Sequence, residues 1–125
     1  MKKVLIDTDV VIDYLRAGVG PLEGLLTTAG RGETKLFISA VTILELFSGE
    51  IKREHIKVMV DIEERIEVVT VDKELAKYLG NLRKGIRTPV SVPDLIIGGS
   101  AVFLGAEVAT RNKKHFKLIP GIKFY

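Results

Sequence analysis

The chain has 125 residues, 46% hydrophobic and 28% charged, with a formal net charge of +3, a pI near 9.2 and a mean hydropathy of +0.23. That size and composition suit a single domain, 1–125, with a continuous core. Zero cysteines exclude disulfides, thiolate metal sites and cysteine nucleophiles, and no apolar run is long enough to span a membrane.

In chain order, Lys3–Ile6 reads as a buried strand and Val10–Arg16 as a helix stopped at Ala17-Gly18. Pro21 opens a helix that ends near Gly30. Leu36–Ser39 is a second strand, and Val41–Ser48 a helix ended by Gly49. Ile51–Arg65 is amphipathic and helical. Glu67–Val71 is a third strand, with Asp72 capping a helix over Lys73–Lys84. Ser91-Val92-Pro93-Asp94 forms the entrance to a helix that runs through Leu104, and Glu107–Thr110 and Ile122–Phe124 complete the strands.

Strands alternating with helices predict an α/β fold, a mostly parallel sheet of four to five strands covered on both faces. In such sheets ligands gather beyond the carboxyl ends of the strands. Asp7 follows the first strand and Thr110-Arg111-Asn112 the fourth, so both are expected on the same rim. The start on a strand-like segment with no cleavage signal leads to the expectation of a cytoplasmic protein. High hydropathy for so small a chain leaves apolar surface for a partner, and a homodimer is the simplest one.

Three acids are out of place in this pattern. From Leu36 to Phe47 every residue except Ser39 and Thr42 is apolar, save Glu45; a charged glutamate is costly there unless something pairs with it. Asp94 sits in the first turn of a helix that is otherwise apolar on nearly all sides, where helix polarity favours a carboxylate whatever else it does. Asp7 ends a buried strand. Asp9 and Asp13 lie close behind it, and read more simply as a first-turn helix acid and an exposed one.

Asp7, Glu45 and Asp94 thus come from three separate elements, each near a strand-to-helix junction. Carboxylates brought together repel, so such a cluster persists around a cation or shared protons. Oxygen ligands without His or Cys select Mg²⁺ or Mn²⁺ over zinc. Such an ion orients and activates water and neutralises charge on a phosphodiester. A mildly basic surface is compatible with a polyanionic partner. Arg83, Lys84 and Arg87, and Arg111, Lys113 and Lys114, are candidate contacts to an RNA backbone, or ordinary solvated charges.

The stretches "VLIDTDVVIDYL", "FISAVTILELFSG", "VSVPDLIIGGSAVFLGAEVATRNKKHF" and "IPGIKFY", taken in order, resemble the PIN-domain ribonucleases, most closely the VapC-type toxins of prokaryotic toxin–antitoxin pairs. The resemblance covers nearly the whole chain. It implies a small α/β/α sandwich, Mg²⁺- or Mn²⁺-dependent endoribonuclease activity on RNA, frequent dimerisation and a small antitoxin protein that blocks the site. By position it places Asp7, Glu45 and Asp94 at the family's first three acids. At the fourth position, where many members carry another acid, this chain has Asn112, with His115 three residues on. Asn112 brings an amide and no charge, so a second metal is in question, and Asp9 is a candidate to compensate. His115 is a candidate general acid or a surface histidine, and His55 a solvated helix residue.

Two other readings compete. "VLIDTDVV" also resembles the first motif of haloacid-dehalogenase-type phosphatases, with Asp7 as nucleophile and Asp9 as general acid. That reading leaves Glu45 unexplained and lacks a C-terminal pair of aspartates. The second is a PIN-like module that binds RNA or assembles a complex without catalysis, which the uncharged Asn112 keeps open.

Overall fold

Successive residues of the first strand enter different cores. Val4 and Ile6 pack on one side with Leu36 and Ile38, whereas Leu5 packs on the other with Phe37 and Val108. This is the alternation of a sheet buried on both faces. The computed structural model describes the whole chain of 125 residues apart from the side chain of Glu50. Four strands, β1 (Lys2–Ile6), β2 (Thr34–Ser39), β3 (Glu67–Val69) and β4 (Glu107–Ala109), stand in the order β3-β2-β1-β4. Every pairing is parallel, with Ile6 opposite Ile38 on one side and Ala109 on the other.

Seven α-helices complete the fold: α1 (Thr8–Ala17), α2 (Leu22–Gly30), α3 (Ala40–Glu45), α4 (Ile56–Arg65), α5 (Lys73–Lys84), α6 (Val92–Leu104) and α7 (Lys113–Phe116). Val10, Val11, Leu22, Leu25, Met59 and Ile62 from α1, α2 and α4 cover one sheet face. Ile97, Ala101 and Phe116 from α6 and α7, with Ile119, cover the other. The predicted α/β sandwich with a central parallel sheet is the fold observed. Among the described residues no helix is long and apolar enough to cross a membrane.

Two strand-to-helix turns are made by a single residue each. Asp7 caps α1 and accepts from the Thr8 backbone N–H at 2.8 Å; Ser39 caps α3 and accepts from Val41 N–H at 3.1 Å. With β1 and β2 parallel and in register, both turns fall on the same rim. Ser91 caps α6 by accepting from Asp94 N–H at 3.2 Å. Close packing fixes where α6 lies. A Cβ on Gly98 would come within 2.3 Å of Ile119 Cδ1, and one on Gly99 within 2.3 Å of Leu79 Cδ2. A larger residue at either position would have to displace these side-chain ends, so the two glycines let α6 lie close to α5 and to the segment that carries α7.

Three elements differ from the sequence expectation. The helix expected over Val41–Ser48 is α-helical only to Glu45; it then widens into a π-type turn over Leu46–Glu50, closed by Gly49 at φ 123°. Such widenings re-aim side chains and favour functional regions. The helix expected from Ile51 begins at Ile56, after a 3₁₀ turn over Arg53–His55. The strand expected at Ile122–Phe124 is reduced to one bridge, Val108 to Phe124. It is held by Val108 N–H to Lys123 C=O at 2.8 Å and Tyr125 N–H to Val108 C=O at 3.0 Å. With β4 only three residues long, there is no ladder for a full fifth strand to continue.

Candidate active site

On the rim where β1, β2 and β4 end lies a cleft of about 220 Å³, walled by Asp7, Thr8, Asp9, Ile12, Glu45, Asp94 and Asn112. The residues singled out from sequence as acids out of place therefore share one cavity, together with Asn112.

Asp7 sits deepest, only 6% exposed. Its second oxygen accepts from the Thr110 hydroxyl at 2.7 Å. Burial pushes its carboxyl up to about 7, with the neighbouring Asp9 charge adding to the rise and the bonds from Thr110 and Thr8 pulling against it. Asp9, in the first turn of α1, is more than a helix-end acid. One of its oxygens accepts from the Arg111 backbone N–H at 3.1 Å, and the other is buried with no hydrogen-bond partner among the described residues. Asp13, expected to be exposed, is half-covered and accepts from Arg111 Nε at 2.6 Å.

Glu45 occupies the last residue of α3, just before the π-type turn, and is half-buried rather than enclosed. The apolar run around it overstated its burial, because Leu44 and Phe47 are themselves exposed. Its carboxylate accepts from the Thr8 hydroxyl at 2.7 Å, and Thr8 also bonds the Thr42 hydroxyl at 2.9 Å. Asp94 stands at the start of α6 with Oδ2 3.9 Å from His115 Nδ1. The Asn112 backbone N–H donates to the Thr110 hydroxyl oxygen at 2.9 Å. Thr110 thereby links Asn112 to Asp7.

The threonines at positions 8, 42 and 110 are the structural partners that charge-based reasoning passed over. Their one sequence signal is placement: Thr8 and Thr110 each come at the end of an apolar strand, within a residue or two of it.

Three of the cationic candidates are engaged with the protein itself. Arg83 donates to the Val90 carbonyl at 3.2 Å, Arg111 is paired with Asp13, and Lys113 stands 5.7 Å above the Phe124 ring. Arg87 is exposed in the loop between α5 and α6. His55 is not a solvated helix residue. It lies in the 3₁₀ turn with its side chain only 18% exposed, beside Tyr14, Leu15 and Val58.

Among the described residues, no three His, Asp or Glu side chains are gathered closely enough to enclose one metal ion together. Each acid is held to its own wall: Glu45 by Thr8, Asp94 at the α6 entrance beside His115, Asp7 by Thr8 and Thr110. The donor set nevertheless fits a hard divalent cation. All of its ligating side chains offer oxygen, Asp9 carries a buried oxygen with no partner, and Asp7 is a buried carboxyl that a cation would ionise. Magnesium commonly takes one or two carboxylates and completes its shell with water and phosphate, so it needs no closed protein cage.

Known proteins place this cleft in context. Over 98% of its length the chain is 28% identical to a protein of Salmonella typhimurium named tRNA(fMet)-specific endonuclease VapC, covering 96% of that relative. It is also 28% identical to Ribonuclease VapC1 of Methanocaldococcus jannaschii, covering 98% of this chain and 87% of the relative. The crystal structure of DNA-bound VapBC from Salmonella typhimurium superposes with a TM-score of 0.83 at 27% identity, over 100% of this chain and 98% of the other. Residues 4–121 match the family described as "PIN domain", a span that runs from the first buried residue of β1 past α7, and the chain belongs to that family.

Proposed function

We propose that the chain is a divalent-metal-dependent endoribonuclease of the VapC kind, acting on RNA as the toxin of a pair whose other half is a small antitoxin. The observation that carries this is the acidic cleft on the sheet rim, built by Asp7 at the β1–α1 junction and by residues of α1, α3, α6 and the β4–α7 connection. Relatives matching nearly the whole chain are named ribonucleases. The solved VapBC structure supports an antitoxin partner. Mg²⁺ is the expected ion and Mn²⁺ its substitute, a homodimer is the expected assembly, and the cytoplasm is where toxin, antitoxin and RNA would meet.

Asp7, Glu45 and Asp94 are the residues proposed to hold the ion, with Asp9 and Asn112 beside them. A divalent ion in this cleft would supply positive charge next to the scissile phosphate and activate water. The chain contributes placement. Thr8 keeps Glu45 oriented across the cleft, and Thr110 ties Asp7 to the loop that carries Asn112. Water adds to phosphorus, one P–O bond breaks, and the departing oxygen takes a proton.

The phosphatase reading needs Asp7 open to attack phosphorus. Asp7 is 6% exposed, with both oxygens already accepting hydrogen bonds. The non-catalytic reading draws on the wide spacing of the acids and on Asn112. The deciding experiment is a Mn²⁺-dependent RNA cleavage assay of the wild type beside Asp7→Asn, with Mn²⁺ binding followed calorimetrically. Cleavage and binding by the wild type, both lost in the variant, are expected. Binding of RNA without cleavage or Mn²⁺ uptake would establish the non-catalytic module instead.

A further inference from the structure

Next to the acidic cleft is a second recess, about 170 Å³, between the loop that joins α5 to α6 and the short helix α7. Its walls are Pro89, Val90, Ser91, Asp94, His115 and Leu118. Asp94 belongs to both cavities, so a strand whose phosphate lies at the acids passes the recess with its adjoining nucleotide.

We propose that this recess receives one unstacked base of the RNA strand beside the bond that is cut, with His115 as its stacking platform. The proposal rests on the nuclease reading and adds a base-specificity subsite to it. Sequence-specific recognition of single-stranded RNA works by splaying bases onto aromatic or imidazole planes and meeting their edges with polar groups. The recess offers those parts at the size of one base. His115 has its side chain 63% exposed, so its ring is open to a partner. Leu118, in the same wall, is an exposed apolar side chain, 39%, where a base face would cover it. The Ser91 hydroxyl accepts from Asp94 N–H and keeps its own hydrogen for a base edge.

The far wall is preset rather than loose. Arg83 reaches from α5 to bond the Val90 carbonyl at 3.2 Å, which anchors the loop against the helix and leaves Val90 itself buried. The recess is too small for an extended peptide face, and its continuity with the acids ties its occupant to whatever strand the acids cut.

The test begins with a random-sequence single-stranded RNA pool cut by the wild type with Mn²⁺, the products being sequenced. One position flanking the cut should show a base preference, and His115→Ala should flatten it. A preferred strand is then made with an abasic ribose at that position. The wild type should lose roughly tenfold in kcat/KM, mainly through KM, the size of one base–aromatic contact. His115→Ala should be slower on the intact strand and indifferent to base removal. His115→Phe, which keeps a ring but not the imidazole beside Asp94, should regain the sensitivity. Equal loss in wild type and His115→Ala, or no loss in either, overturns the recess while leaving the nuclease reading in place. A wild type that cuts no RNA overturns both.

Discussion

The Thr8 hydroxyl lies 2.7 Å from Glu45 Oε1 and 2.9 Å from the Thr42 hydroxyl, so one side chain of α1 sets the carboxylate of α3 across the cleft. Thr8→Val keeps the branched shape and removes the bond. The buried Thr42 hydroxyl then loses its partner, a cost of about 1–3 kcal/mol, and Glu45 is free to rotate. The melting temperature should drop by several degrees, and kcat for Mn²⁺-dependent cleavage should fall at least about tenfold, because a misplaced catalytic group costs rate rather than substrate affinity. Thr8→Ser should restore both. Equal cleavage by the valine and serine variants would show that Glu45 needs no such anchor.

Asp7 makes a pH prediction with a definite sign. Its carboxyl rises from an ordinary 3.8 to about 7 in the fold, chiefly through burial. Between those two values the folded protein holds a proton that the unfolded chain has released. The contribution to stability is therefore full below about pH 4 and is lost as pH rises toward 7. At about 1.4 kcal/mol per pKa unit this amounts to a few kcal/mol at most. Urea midpoints of the metal-free protein should fall over that interval, and Asp7→Asn should flatten the slope and raise the midpoint at pH 8. Mg²⁺ should stabilise the wild type more at pH 8 than at pH 5, since only the ionised carboxyl attracts it. An unchanged slope in the asparagine variant would assign the pH dependence elsewhere.

What was readable in the sequence follows from which forces are local. The continuous apolar run in "KVLI" and the apolar run of α6 report burial directly, and such runs placed most of the strands and helices and the rim. Asp7 and Asp94 stood out because charge at the end of a buried element needs a reason. Glu45 was found for a partly mistaken one: its neighbours Leu44 and Phe47 point outward, and the glutamate is half-buried, positioned by a hydroxyl. The threonine network could not be read, because a bond between Thr8 and Glu45 spans 37 positions and neither residue's neighbours announce it. The π-type turn after Glu45 was hidden for a different reason: Gly49 marks where the helix stops, and nothing in the run shows that the last turn widens before it. Asp9 looked like a helix-end acid and Asp13 like an exposed one because their partner, Arg111, lies about a hundred residues away.

Arg111 is a cation at the rim of the acidic cleft whose polar groups are held by the protein itself. Its backbone N–H and Nε are taken by Asp9 and Asp13 at 3.1 and 2.6 Å. The side chain is 62% exposed, so the ion pair itself contributes little to stability, about 0–1 kcal/mol. Its effect is to hold the loop that presents Thr110 and Asn112. Arg111→Gln and Asp13→Asn should therefore lower kcat by similar factors, several-fold, with melting temperatures nearly unchanged. A phosphate contact behaves differently: its loss would reduce the salt slope of RNA binding by about 1, and Asp13→Asn would then raise affinity by freeing the guanidinium. Titrations of RNA binding at several salt concentrations separate the two roles.

Asp94 carries both a helix-end role and the proposed metal role, and the two come apart on substitution. As a first-turn carboxylate of α6 it is worth roughly 0.3–1 kcal/mol against the helix dipole, while its presence in a cleft that already holds Asp7, Asp9 and Glu45 opposes that gain by repulsion. Asp94→Asn keeps the shape and the backbone N–H that bonds Ser91, so the folded state should be as stable as the wild type or slightly more so without divalent ions. Cleavage should disappear, because the amide cannot supply the negative charge that holds the ion. Added Mn²⁺ should raise the melting temperature of the wild type and leave that of the variant nearly unmoved. Retained cleavage together with a marked loss of stability would mean that the carboxylate serves the helix alone, and that the ion is held by Asp7 and its neighbours on α1 and α3.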